Sequence, residues 1–127
     1  MQDRFKFRWF SKLHKKVFDV VGLEFPNFVI YKDEQGNEVE TGLSSDNGEL
    51  IQCTGLKDKN GKLIYEGDIV EVINCRGAKA VVKFNTELVK FELKGEKFAP
   101  SALQHIRRDY FEVIGNIYET PKLLETH

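Results

Sequence analysis

Asp58, Glu66 and Asp68 form the densest group of side chains with chemical potential in this chain. Paired carboxylates run general acid–base chemistry or hold Mg²⁺ through oxygen ligands. Each of these acids also has a local structural reason to be where it is. Asp58 lies in Lys57–Lys62, KDKNGK, where Asn60-Gly61 is a strong turn signal. Asp68 closes Glu66-Gly67-Asp68, a tight turn in which Gly supplies positive φ and Asp accepts a nearby backbone N–H. Turn chemistry accounts for both aspartates without a metal or a substrate.

A second group is cationic. Arg4, Lys6 and Arg8 alternate with Phe5, Phe7 and Trp9, and Lys12, Lys15 and Lys16 follow. Period two puts the cations on one strand face and the aromatics on the other. The basic face is suited to phosphate, but the aromatics point away from it and read as core. Tyr65, Tyr118 and Trp9 are either an exposed patch for a partner or core, and core is the commoner fate of large aromatics in a small domain. His14, His105 and His127 show no ligand spacing, and Cys53 and Cys75 make neither a disulfide framework nor a zinc site. The chain has no phosphate loop, nucleophile elbow or zinc-helix motif. No catalytic residue, metal or cofactor is therefore expected. Lys57, Asp58, Tyr65, Glu66 and Asp68, with Arg4, Lys6 and Arg8, are the candidate interaction residues.

Composition bounds the setting. The chain has 127 residues, 41% of them apolar, and ten are Phe. That supports one folded domain with a single core. The net charge of −1 gives no global field toward nucleic acid or membrane. Locally the charge is uneven. Met1–Lys16 carries six bases against Asp3 alone, and Asp33–Glu49 carries six acids and no base. The two stretches either associate head to tail between copies or lie together within one fold, and the second is the simpler expectation. The chain shows no secretory signal and no apolar run near the roughly 20 residues of a membrane span. A cytoplasmic protein with reduced thiols is expected.

Most segments that position these residues read as strands: 4–9, 17–23, 28–31, 38–43, 50–54, 63–65, 69–73, 80–84, 88–93 and 111–114. Turns fall at Asp33–Asn37, Lys57–Lys62, Glu66–Asp68, Arg76-Gly77, Asn85–Glu87 and Lys94–Glu96. Pro100–Arg108 reads as a short helix with Ser101 as its N-cap, and Pro121–Leu124 as a single helical turn. The expected fold is mainly β, or α+β with few short helices. It comprises an N-terminal sheet to about Leu43 and a small barrel-like meander from about Leu50.

Three segments resemble the YopX family. Lys6-Phe7-Arg8 with Trp9 is similar to its opening strand, although Phe10-Ser11 stands where an acid is usual. Ile51–Val70 resembles its most distinctive stretch, with Cys53 in place of an aromatic before Thr54-Gly55-Leu56. Glu112–Glu119, with Pro121 and Leu123-Leu124, resembles its closing motif. The resemblance implies a phage or prophage setting and brings no established activity.

The combined reading is a non-enzymatic protein-binding module of phage or prophage origin. Self-association as a homo-oligomer and contact with a host or phage protein are expected, and no membrane. The alternative is nucleic-acid binding through the basic N-terminal strand. A metal-dependent hydrolase built on Asp58, Glu66 and Asp68 ranks last.

Overall fold

The computed structural model describes residues 6–24, 27–73, 78–87, 90–95 and 110–124, together with the backbone of 98–102. The short runs of alternating polarity become strands, because each buries one face while its backbone pairs sideways. Six form the first sheet: β1 (Phe7–Ser11), β2 (Lys16–Glu24), β3 (Phe28–Lys32), β4 (Glu38–Gly42), β5 (Gly48–Lys57) and β6 (Leu63–Tyr65). Five form the second: β7 (Asp68–Val72), β8 (Lys79–Asn85), β9 (Lys90–Gly95), β10 (Phe98–Ala102) and β11 (Phe111–Asn116). The strand orders are β4-β3-β2-β1-β5-β6 and β10-β9-β8-β7-β11, with every pairing antiparallel.

The mainly β expectation is met. The C-terminal meander is present from β7 to β10, but it stays open. β11 returns beside β7, which leaves β10 and β11 on opposite edges of an unclosed sheet. The change of sheet falls at Glu66-Gly67, inside the central motif, so Leu50–Tyr65 belongs to the first sheet. The cause is β5. It pairs with β1 through Gly48–Gln52, then continues past Cys53 to pair with β6.

The helix expected to begin at Pro100 is not there. Phe98–Ala102 pairs with β9 as an edge strand, and its register shifts between Phe98 and Ser101. Sheet pairing overrides the local helix preference of Ser101-Ala102. An edge strand is also where a proline is tolerated in a sheet. The rest of that segment lies outside the described residues, as do Arg4, Cys75 and the Arg76-Gly77 turn. Pro121–Leu124 forms the expected helical turn, of 3₁₀ type.

The core has three parts. Val70, Ala80, Val82, Leu93, Phe111 and Val113 fill the second sheet's inner face, with Ile64 of β6 and Leu56 of β5 packed against them. Trp9, Val29 and Tyr31 occupy one face of the first sheet. Ile51, Cys53 and Tyr65 occupy its other face, with Phe10, Val17 and Tyr118 packed on them. The first sheet is therefore apolar on both sides near β1 and β5. The face opposite Trp9 is not a solvated basic strip there.

Candidate functional site

The three segments singled out in the sequence meet at the seam between the sheets. Lys57–Lys62 forms the β5–β6 turn, and Gly61 takes φ 81° at its tip. Asp58 is fully buried beneath that turn. Its Oδ1 accepts the N–H groups of Asn60 and Lys62 at 2.9 Å each. Its Oδ2 accepts the Val113 N–H from β11, also at 2.9 Å. Lys59 N–H adds a bond to the Phe111 carbonyl at 3.1 Å. Burial raises the Asp58 carboxyl's pKa. The three N–H donors and the Lys62 charge outweigh that and hold it below the usual range. Outside the turn, Glu112 meets Asn60 Nδ2 at 3.1 Å and Lys59 Nζ at 3.6 Å.

Glu66-Gly67 carries the chain between sheets. Glu66 N–H bonds the Gln52 carbonyl in the first sheet at 3.0 Å, and Gly67 N–H bonds the Val82 carbonyl in the second at 2.8 Å. Gly67 also accepts the Ile117 N–H at 2.9 Å. Its φ is 87°, and a Cβ there would lie 2.6 Å from Tyr118 Cε2. Both facts demand glycine. Asp68 is buried, and its Oδ2 takes the Tyr65 N–H at 2.8 Å. Desolvation raises its pKa to about 6, against the opposing pull of that N–H and of Arg8 and Lys62.

The C-terminal turn completes the seam. Tyr118 packs on Phe10 with ring centroids 5.1 Å apart. Glu119 Oε2 accepts the Val17 N–H at 2.9 Å, and Asn116 Nδ2 holds its other oxygen at 3.0 Å. On the same face of β1 as Phe10, the Arg8 guanidinium lies 4.0 Å from the Tyr65 ring centre and 3.3 Å from Asp19 Oδ1.

A cleft of about 500 Å³ opens where the sheets part. Glu49, Glu66, Lys83 and Tyr118 supply polar groups, and Trp9, Leu50, Val82 and Ile117 supply apolar wall. Burial, then the Glu49 charge, pushes the Glu66 carboxyl's pKa up, while the Phe84 backbone N–H bonds it and pulls the other way. Burial and the Glu49 carboxylate, which the phenol also hydrogen-bonds, hold the Tyr118 hydroxyl far above its ordinary range. The cleft thus presents a protonated phenol and two glutamates.

The candidate residues do not converge on one pocket. Glu66 reaches the cleft, Asp58 lies under its turn and Asp68 lies beneath Tyr65. Tyr65 itself is 5% exposed, so with the two aspartates it belongs to the interior, not to an interaction surface. Lys57 is exposed at the end of β5, and Lys6 is exposed just before β1. Arg8 is half-buried and engaged with Tyr65 and Asp19. The basic and acidic stretches lie together: Lys16 pairs with Glu34, and Lys12 donates to the Ser45 carbonyl. Among the described residues, no group of three or more His, Cys, Asp or Glu side chains is placed to hold a metal ion. Sequence reasoning missed Glu49, Lys83 and Glu119. Each looks like an ordinary surface charge until the strands are paired.

The seam is built from the segments that carry the family resemblance, and the family model agrees. The YopX protein family matches residues 6–125. The chain belongs to the YopX family. Its fold is similar to that of the crystal structure of protein EF1440 from Enterococcus faecalis. That match has 27% identity and a TM-score of 0.62, and covers 94% of this chain and 97% of the other. It is also similar in fold to the crystal structure of protein yopX from Bacillus subtilis, at 18% identity and a TM-score of 0.64, over 96% and 99% of the two chains. No curated protein matches this YopX-family chain. No helix among the described residues is long and apolar enough to cross a membrane.

Proposed function

We propose that this YopX-family protein is a non-enzymatic binding module, an accessory protein of a phage or prophage. In this reading it works in the host cytoplasm through contacts with a host or phage protein and with a second copy of itself. The observation that carries the reading is the fate of the acids. Asp58, Glu66 and Asp68 each accept backbone N–H groups that tie the turns and sheets together. Side chains spent in this way serve architecture. The apolar groups left outside point to contact with protein. Val21 and Phe28, 48% and 39% exposed, lie on neighbouring strands β2 and β3 of the first sheet.

Light scattering over a concentration series tests self-association. A dimer or higher species is expected, with dissociation in Val21→Ser combined with Phe28→Ser. A strict monomer at the highest soluble concentration would remove it. Nucleic-acid binding is the second reading, carried by the exposed Lys12 and Lys15 in the β1–β2 turn. Polarisation titrations against DNA and RNA at several salt concentrations test it. Binding that weakens steeply with salt would favour it over the first reading.

A further inference from the structure

The sheets have four edges, and three of them are blunted. β6 is three residues long, and its Tyr65 N–H goes to Asp68. β11 gives its Val113 N–H to Asp58, and its Phe111 carbonyl takes Lys59 N–H. β10 carries Pro100, which lacks an N–H, together with a register shift. Short strands, capping turns, prolines and bulges are the usual ways to stop a sheet from adding a foreign strand.

The β4 edge has none of these defences. Glu38–Gly42 pairs with β3 in an unbroken register from Lys32↔Glu38 to Phe28↔Gly42. Among the described residues, only the Gly42 carbonyl at its end is capped, by Asn47 Nδ2 and Ser44 N–H. Val39 turns inward and packs with Tyr31 and Val29, which anchors the strand. Glu38 and Glu40 turn to the other face and are exposed. Lys32 lies opposite Glu38, but Glu40 lies opposite Ile30 and has no base across from it. A second copy adding antiparallel about the strand centre would set Glu40 against Glu40, which is unfavourable. The edge is thus open to a strand but closed to its own kind.

We propose that the β4 edge is a strand-addition site for an extended segment of a partner protein carrying Lys or Arg at two alternate positions, opposite Glu38 and Glu40. Backbone ladder bonds would supply affinity and the two charges would set register, the usual division of labour in strand addition. The inference deepens the binding-module reading by naming the partner's chemistry. It does not depend on self-association.

The test uses three capped peptides: Thr-Val-Lys-Val-Lys-Val-Thr, the same sequence with Glu for Lys, and the same with Ser for Lys. Each is titrated into the full chain while backbone amide signals are followed by NMR. The lysine peptide is expected to shift the amides of Glu38–Gly42 and to bind about tenfold more tightly than the serine peptide, one such factor being about 1.4 kcal/mol. The glutamate peptide is expected to leave them unmoved. The doubly substituted protein, Glu38→Lys with Glu40→Lys, is expected to reverse the preference. Equal shifts from all three peptides, no shift from any, or shifts centred away from β4 would overturn the proposal. If copies associate in solution while the lysine peptide does not bind, the strand-addition site fails and the broader reading survives. If the lysine peptide binds β4 to a strict monomer, self-association fails and the site stands.

Discussion

At the seam, Asp58 directs both carboxylate oxygens to three backbone N–H groups, whereas at the outer edge Glu38 and Glu40 face solvent. Both regions are turn-and-strand structures rich in acids. The seam joins strands distant in sequence, so its backbone groups are buried and each needs a partner. The outer edge is the end of a ladder, where water serves as partner and a carboxylate keeps its ordinary hydration. An acid therefore contributes architecture in one place and surface charge in the other, and burial decides which.

The sharpest way to break this contrast is Asp58→Ala. It strands the N–H groups of Asn60, Lys62 and Val113 at once. The Val113 N–H is the buried donor, at about 1–3 kcal/mol, and the part-buried Asn60 and Lys62 donors add less, so the expected loss is about 3 kcal/mol, measured by denaturant unfolding. Asp58→Asn keeps an acceptor for the turn but sets an NH₂ against Val113 N–H, so a smaller loss is expected. A loss below about 1 kcal/mol for the alanine variant would mean that the turn does not clamp β11.

Much of the seam was legible in the sequence, and the reason is local. Asn60-Gly61 and Gly67-Asp68 specify their turns within a few residues, and alternation locates strands. The partner of Asp58 was not legible, because Val113 lies 55 positions away and only the pairing of β7 with β11 brings it there. The same holds for Glu119, whose target Val17 is 102 positions away. The misread segment at Pro100–Ala102 failed for the complementary reason: its local preference was readable, and a non-local ladder overrode it.

The pH dependence gives the next largest effect. Asp68 in the folded chain has a pKa of about 6 against an ordinary value of 3.8, so between these values the native state binds more protons than the unfolded one. Stability from this group is full below the unfolded value and is lost as pH rises through the folded one. Asp58 has the opposite sign: its contribution is present above 3.8 and is lost as pH falls through its depressed folded pKa. Comparing Asp68→Asn with the parent isolates the first. The stability of the variant relative to the parent is expected to rise by roughly 2 kcal/mol between about pH 4 and pH 7, at 1.36 kcal/mol per pKa unit. A difference that stays flat across this window would show that Asp68 is not desolvated at the seam.

A pair of glycines sharpens the comparison further. Gly67 at the seam and Gly36 in the outer β3–β4 turn have nearly the same φ, 87° and 83°. Alanine at Gly36 meets nothing within 4 Å, so only the backbone cost of about 1 kcal/mol is expected. Alanine at Gly67 adds a clash with Tyr118 and is expected to cost about 2 kcal/mol or more. Tyr118→Ala should recover the steric part alone in a double-mutant cycle. Equal costs at the two glycines would show that the ring does not seal the seam.

The smallest effect on stability is expected at the outer edge. Glu40→Thr faces Ile30 across the ladder and solvent above, so folding stability is expected to move by less than about 0.5 kcal/mol. Its consequence lies in association instead. The substitution removes the like-charge contact that opposes pairing between two β4 edges, and nothing else on that strand blunts it. Lower solubility or species larger than those the parent forms in light scattering are the expected outcome, with thermal unfolding unchanged. Unchanged association would mean that Glu40 does not guard the edge. An edge strand kept regular, unblunted and acidic costs a protein protection against misassembly, and that cost makes physical sense where a strand of opposite charge is meant to occupy it.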